Sequence, residues 1–475
     1  MLGRARCLAV SKGWSRRYHH VAVVGSGPAG FYTAKYLLKK AGEDVKIDMF
    51  ERLPTPFGLV RFGVAPDHPE VKNVINDFTA VAETPGFRFF GNTQVGSNGL
   101  SLASLRSLYD AVVLCTGAEG ERHLGIPGES LSGVVGAPAF VKWYNSHPDY
   151  TNVEVPDPGE AAVVLGQGNV ALDVARLLVR SPADLQKTDM DASAVQKIAG
   201  WQKAGLRTVH VVGRRGFVQA AFTNAELREL LTCSDEVLPI VDPEELTLCR
   251  NPASEEELSK SRMKKRSLDI LEKMAANFAE RESTSKRILR LHFLRSPVEV
   301  SPKQNAVAGI RLGRTELQGE PGKQVAAKPA VPDDLDIACG LVVRSVGFDL
   351  TPFEGLPLNE RNRVPHTNGR VESPGSTGGL YVSGWVKRGP TGVVASNIPD
   401  AQETAARVLA DLAQHSSKDW SEEKIAAAME CTGPTVSFQD WQKLQEEELQ
   451  RGQSMGKLAA KLTDVEEMLR ILGKR

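Results

Sequence analysis

Short, unbroken apolar runs punctuate this chain, each ending near a glycine turn, with helix-period stretches filling the intervals. Val21–Val24 runs into Gly25, Ala111–Leu114 into Thr116-Gly117 and Ala161–Leu165 into Gly166, while the more polar strand Arg207–Val212 runs into Gly213. The run around Leu341–Val343 and Leu380–Ser383 have the same character, and VKIDMF (45–50) is a further strand with Lys46 and Asp48 set among its apolar residues. Branched residues without polar alternation mark strands buried on both faces, as in a parallel sheet covered by helices. Helices are expected from Pro28, after Gly168, over the highly charged segment 254–290, after the turn GPTGVV and over most of the chain beyond 418. The segment 181–203 is read as lengthening the helix before it and adding another. The fold class is therefore α/β.

Two of the strand–turn–helix units carry a glycine fingerprint. In the first, Gly25 makes the tight turn, Gly27 lets the backbone approach a pyrophosphate, and Gly30 lets the helix pack on the strand. Pro28 opens that helix, whose free amides and positive dipole end face the phosphates. Glu51 follows Gly30 by twenty-one residues, close to the roughly 20 expected of an acid that accepts from ribose hydroxyls. The second copy has Gly166, Gly168 and Ala171, and its ribose-reading strand comes much later. That strand ends in Gly213-Arg214-Arg215 instead of an acid. A carboxylate repels a 2′-phosphate, whereas paired guanidinium groups bind one. Two different dinucleotides are implied, one carrying an extra phosphate, which favours NADPH over NADH at the second site.

The order of elements implies two Rossmann-like domains, the second inserted into a discontinuous first, with a helical C-terminus. The expected boundaries are a leader at 1–18, the first domain at 19–125, the inserted domain at 126–338, and the return of the first domain with the C-terminal helices at 339–475. The late strand and the GPTGVV turn would complete the first domain. There the amides of Gly392, Val393 and Val394 could face the negative end of a flavin ring.

Composition adds three points. Residues 1–20 contain five Lys or Arg, and the first acid in the chain is Glu43, so a mitochondrial presequence is expected. The chain has 58 basic and 58 acidic residues; without the leader's five cations it would stand at 53 against 58, net −5. Six scattered cysteines (7, 115, 233, 249, 339 and 431) form no CxxC pair. That pattern argues against a redox disulfide, a zinc ribbon or a cysteine-held cluster and fits reduced thiols. Electrons must then pass through a bound organic cofactor. No apolar run reaches the roughly 20 residues needed to span a bilayer, and no nucleic-acid partner is expected.

The string FGLVRFGVAPDHPEVKNV (57–74), with GQGNVALDVAR, VGRRG and GWVKRGPTGV, resembles the adrenodoxin reductase family, the mitochondrial NADPH–ferredoxin reductases. The match covers nearly the whole chain beyond the leader, with the motifs in the family's order. The first two-thirds also resembles the glutamate synthase small-subunit branch, whose cluster cysteines are missing here. The resemblance implies that the first domain binds FAD and the inserted one NADP. FAD contacts would come from Gly27, Ala29, Glu51, Leu59, Val95, Trp385 and Gly392–Val394, beside the fingerprint glycines Gly25 and Gly30. NADPH contacts would come from Gln167, Gly168, Asn169, Val170, Arg214, Arg215, Glu226 and Gly392, beside Gly166. Disulfide reductases carry an acid after the late glycine, where this chain has Gly384-Trp385. The aromatic fits the adrenodoxin reductase branch, where it would lie beside flavin and nicotinamide.

The implied reaction is hydride transfer from NADPH to flavin and one-electron delivery to an acidic two-iron two-sulfur ferredoxin of the adrenodoxin type. Steroid or sterol hydroxylation and iron–sulfur or haem synthesis would lie downstream. Positioning does most of the work, so no side chain is a certain catalyst. Asp67, His68, Asp173 and Trp385 are candidates for orienting the cofactors or the partner. Lys260, Arg262, Lys264, Lys265 and Arg266 form the densest basic cluster outside the leader and are the expected docking patch for the ferredoxin. The matrix, with peripheral association at the inner membrane, is the expected location. An FAD- and NADPH-dependent monooxygenase is the rival enzyme, and an NADPH-sensing scaffold is the non-catalytic alternative.

Overall fold

A computed structural model describes residues 18–97, 99–372, 379–430 and 432–475. The expected leader lies outside the described residues except for Tyr18, as do Cys7 and Cys431. The chain divides into two compact units.

The first unit takes the described residues up to Thr55, then Phe78–Gly117 and Pro352–Phe438. Its sheet has seven strands in the order His366–Thr367, Arg370–Val371, Gly379–Val382, Ala111–Leu114, His19–Val24, Val45–Phe50 and Phe87–Phe90. The last five run parallel. Val21, Ala22, Val23, Val112, Val113 and Leu114 are fully shielded from solvent, as a strand covered on both faces requires. Helix Pro28–Ala41 packs on helix Asn397–Leu412, from the segment Pro352–Phe438 of the same unit. Phe31 stacks on Phe78 with ring centroids 5.0 Å apart.

The second unit takes Pro56–Asp77, Ala118–Thr351 and Gln439–Arg475. Its six-stranded sheet is parallel throughout, in the order Val134–Gly136, Leu341–Arg344, Ala161–Leu165, Thr208–Val212, Arg287–His292 and Val237–Val241. An antiparallel meander, Arg295–Lys303, Ala306–Arg314 and Asp334–Ala338, packs its inward residues Val300, Ile310 and Leu312 against Val163 and Val342.

The expected boundaries need four corrections. Strand Leu341–Arg344 pairs with Ala161–Leu165 in the second sheet, so 339–351 does not belong to the return segment. Strand Gly120–Glu121 pairs with Phe348–Asp349, which moves 118–125 into the second unit. Residues 56–77 and 439–475 also join it, tied together by the buried Arg61–Glu448 pair, at 2.9 Å from Nη1 to Oε2. Lys72 and Lys461 share Asp189, at 2.7 and 3.0 Å.

Two helix expectations also change. Helix Asn169–Val179 stops at Val179, and the following segment forms a separate turn, Pro182–Leu185, and helix Ala192–Ala204. The charge of segment 254–290 reads as long solvated helices, but the segment is neither helical nor solvated throughout. Helix Arg262–Ala276 buries Ile270, Leu271 and Met274, and Arg287–His292 is a strand of the sheet.

Candidate dinucleotide sites

In the first unit, the turn after strand His19–Val24 is built by exclusion. Gly25 sits at φ +100°, and a Cβ there would lie 2.6 Å from the Cys115 carbonyl oxygen. A Cβ on Gly30 would lie 2.1 Å from the Gly25 carbonyl oxygen, so the helix rests directly on the turn. Gly27 differs, because nothing lies within 4 Å of its missing Cβ. It is the N-cap of helix Pro28–Ala41, has no capping side chain, and is followed by no acid in the first turn. The opening amides are therefore left to an anion.

Glu51 faces this loop. Its Oε2 accepts from Ser26 Oγ at 2.6 Å and Ser26 N at 3.1 Å, and its Oε1 accepts from Leu53 N at 3.1 Å. The Glu51 carbonyl accepts from Thr93 N at 2.8 Å, which brings the loop bearing half-buried Val95 to the same sheet end. Ala29 meets Gly384, whose missing Cβ would lie 2.4 Å from the Ala29 Cβ, so half-buried Trp385 stands at this edge.

The Gly392–Val394 turn departs from expectation. Helix Asn397–Leu412 begins only after a 3₁₀ turn at Val394–Ser396, and the Val393 amide donates to Ser396 Oγ at 3.1 Å. One of the three amides expected to face a flavin is therefore already engaged. Leu59 is a member of the second unit, on the short helix Leu59–Phe62, whereas Gly392 belongs to the first.

In the second unit the same construction recurs. Gly166 sits at φ +131°, where a Cβ would lie 2.1 Å from the Ser345 carbonyl oxygen, while the missing Cβ of Gly168 has open space around it. Ala171 is wholly buried in the helix, so its methyl is accommodated where the first fingerprint needs glycine. Gln167 reaches across the strand end and donates from Nε2 to the His292 carbonyl at 2.7 Å. A Cβ on Gly213 would fall 1.9 Å from the Gln167 side chain, which explains that glycine. Asn169, next to half-buried Val170, donates to Glu226 Oε1 at 2.9 Å and accepts from Thr223 N at 2.9 Å. Glu226 Oε2 is buried without a partner among the described residues.

Arg214 and Arg215 are exposed, and among the described residues neither forms an ion pair. Their neighbours Arg295 and Arg314 are engaged with Asp333. Two unengaged guanidinium groups at a strand end suit a 2′-phosphate.

His68 and Asp173 come together with residues that the motif reading passed over. His68 Nε2 lies 3.0 Å from Glu229 Oε2 and 3.9 Å from Asp173 Oδ1. Arg176 donates from Nε and Nη2 to the two Asp67 oxygens at 2.8 Å and lies 2.9 Å from Asp173. Burial pushes the Asp173 carboxyl up to about 6 against the pull of Arg176. Asp67 is also buried, but its hydrogen bonds to Arg176 outweigh burial and hold it at about 2. Glu229 was legible only as the residue three places after Glu226, on the same face of helix Asn224–Thr232.

The basic cluster is weaker than its count. Lys260 pairs with Glu256 at 2.5 Å, Lys264 with Glu257, and Lys265 donates to the Ser259 carbonyl at 2.8 Å. Arg262 and Arg266, one turn apart on helix Arg262–Ala276, are exposed and in no ion pair among the described residues. No described helix is long and apolar enough to cross a membrane.

Residues 19–232 match the family model described as pyridine nucleotide-disulphide oxidoreductase. The chain is 44% identical over 468 residues to the mitochondrial NADPH:adrenodoxin oxidoreductase of Homo sapiens, covering 95% of this chain and 92% of that protein. It is 42% identical to the Arabidopsis thaliana protein of the same name, covering 96% and 95%. The solved structure of Mycobacterium tuberculosis FprA in complex with NADPH superposes with a TM-score of 0.87 at 39% identity, covering 96% of this chain and 100% of that one. With both fingerprints intact and identity of this order sustained along nearly its whole length, the chain belongs to the adrenodoxin reductase family of pyridine-nucleotide flavoprotein oxidoreductases.

Proposed function

We propose that this protein oxidises NADPH through bound FAD and passes electrons singly to an acidic two-iron two-sulfur ferredoxin in the mitochondrial matrix. The observation that carries this reading is the contrast between the two fingerprints, one ending in Glu51 and the other in Arg214-Arg215. The chemistry supplied by bound FAD is two-electron acceptance from a nicotinamide and one-electron delivery to an iron–sulfur centre. The protein's part is to hold and to orient. Gly27 and the opening amides of helix Pro28–Ala41 receive the FAD pyrophosphate, and Glu51, anchored by Ser26, receives the adenosine ribose. Ala29, Val95, Trp385 and Gly392–Val394 line the flavin site in the first unit. Gly168 and the amides of helix Asn169–Val179 receive the NADPH pyrophosphate. Gln167, Asn169, Val170 and Glu226 frame it, and Arg214 and Arg215 read the 2′-phosphate. His68 and Asp173 act as orienting groups.

The reading is tested by purifying the protein, recording its visible spectrum and titrating it anaerobically with NADPH and NADH before adding ferredoxin. A yellow protein bleached by NADPH at far lower concentration than NADH, then reoxidised by ferredoxin, is expected. A colourless protein, equal response to the two nucleotides, or fast oxygen consumption without ferredoxin would overturn it. Gly27→Val sharpens the test, since the side chain points into open space at a backbone angle any residue adopts, φ −73°. Soluble yield and secondary structure should stay normal while FAD affinity falls at least about tenfold.

Arg262 and Arg266 are the proposed docking charges. Reversing both to Glu should raise KM for ferredoxin on the order of tenfold or more and flatten its salt dependence. NADPH–ferricyanide turnover should be unchanged; if both activities fall together, the patch lies elsewhere. The downstream acceptors proposed for the ferredoxin are sterol- or steroid-hydroxylating cytochromes and the assembly of iron–sulfur or haem groups.

A further inference from the structure

We propose that Lys387 and Asp400 form a positioning pair that fixes the turn carrying Trp385, an inference that rests on reading Trp385 as a flavin contact. Trp385 opens a four-residue helix, Trp385–Arg388, suspended from strand Gly379–Val382. A helix this short has almost no stability of its own. Its entry is constrained on one side by contact, because Gly384 sits at φ +78° with Ala29 directly against its open face.

The other side is held by helix Asn397–Leu412. Asp400 Oδ2 accepts from the Gly384 amide at 2.5 Å, and Asp400 Oδ1 lies 3.0 Å from Lys387 Nζ. One carboxylate therefore holds the entry of the short helix and its third residue together. Lys387 Nζ also donates to Glu403 Oε2 at 2.6 Å and Thr404 Oγ1 at 3.0 Å, and Thr404 Oγ1 donates to the Val382 carbonyl at 3.0 Å. The Lys387 and Asp400 side chains are only 3% and 9% exposed. Such a pair adds little net stability over an apolar one, because desolvation offsets its attraction, but in a low dielectric it is directional.

The same helix also anchors the neighbouring loop. Arg388 donates from Nη2 to Asn397 Oδ1 at 3.0 Å, and Asn397 donates from Nδ2 to the Val394 carbonyl at 2.9 Å. One helix thus sets the position of the Trp385 turn and of the Gly392–Val394 loop. Lys387 and Asp400 act through Trp385.

Two readouts on the FAD-loaded protein test the pair: flavin fluorescence, which an adjacent indole quenches, and the single-turnover rate of flavin reduction by NADPH. Asp400→Ala and Lys387→Met should raise emission and slow reduction by about tenfold to a hundredfold, the range expected for a misplaced contact. FAD content and KM for ferredoxin should stay normal. Asp400→Asn, which keeps an acceptor for the Gly384 amide, should fall between these and wild type, and it carries the test should the alanine variant not fold. Tyr381→Phe is the control, since it cuts a 2.7 Å bond to Asp411 between the same strand and the same helix, away from the turn. Wild-type emission and rate in the Asp400 variants, or the same changes in Tyr381→Phe, would overturn the pair. The underlying reading is checked separately by Trp385→Phe: unchanged emission there removes Trp385 from the flavin, whatever the Asp400 variants do.

Discussion

Replacing Arg214 and Arg215 together by alanine is expected to lower kcat/KM for NADPH on the order of a thousandfold while leaving NADH within about threefold. A hydrogen bond to a charged group contributes about 1.5–3 kcal/mol, and tenfold corresponds to about 1.4 kcal/mol. Two guanidinium groups on one phosphate could therefore reach a factor of about 10⁴, and exposure to solvent and salt places the expectation below that limit. The fold should not suffer, because what the structure uses here is backbone. The Arg214 carbonyl accepts from Thr315 Oγ1 at 2.7 Å, and the Arg215 carbonyl accepts from Leu294 N at 3.2 Å. Arg→Lys at both positions should recover only part of the loss, since an ammonium cannot reproduce the planar fork. Steady-state rates with both nucleotides, together with inhibition by 2′,5′-ADP, provide the measurement. Equal losses for NADH and NADPH would place the 2′-phosphate elsewhere.

The elements on which that argument stands were legible because their signal is local. Strand Thr208–Val212 is rich in branched residues and runs straight into Gly213, and Gly25 and Gly166 stand at the positive φ that their turns need. Four features were not legible, each for a different reason. The meander from Arg295 to Ala338 has one face in the core and carries Pro297 and Pro302 with a register shift beside each, so its alternation is broken. In helix Arg262–Ala276 the inward Ile270, Leu271 and Met274 are outnumbered by charge, and the segment reads as solvated although it closes the core. The membership of 56–77 and 439–475 is decided by pairs such as Arg61–Glu448, 387 residues apart, which no window along the chain can contain. At the GPTGVV turn the sequence located the loop but not the Ser396 hydroxyl that captures the Val393 amide.

Asp67→Asn should cost about 3–5 kcal/mol of stability, the usual consequence of removing one partner from a buried ion pair. The carboxylate is 2% exposed and Arg176 is 1% exposed, joined by two parallel bonds of 2.8 Å, with Arg180 at 2.7 Å on the same carboxylate. Asparagine keeps the shape but removes the charge and one acceptor, leaving two guanidinium groups facing a neutral amide. Asp173 and Glu229, at 2.9 and 3.4 Å from Arg176, compensate only in part, because Asp173 is itself held at about 6 by burial. A loss of this size should lower the melting temperature by roughly 10 °C. The pH dependence follows from the folded value of Asp67, about 2 against an ordinary 3.8. A depressed carboxylate contributes stability in full above its unfolded value and loses it as pH falls toward the folded one. Wild type should therefore shed this contribution between about pH 4 and pH 2, and the variant should show a flatter acid limb there. Thermal melts of both proteins across that range provide the measurement. A melting temperature for Asp67→Asn within about 2 °C of wild type at neutral pH would show that the Asp67–Arg176 pair does not hold residues 56–77 to the second unit.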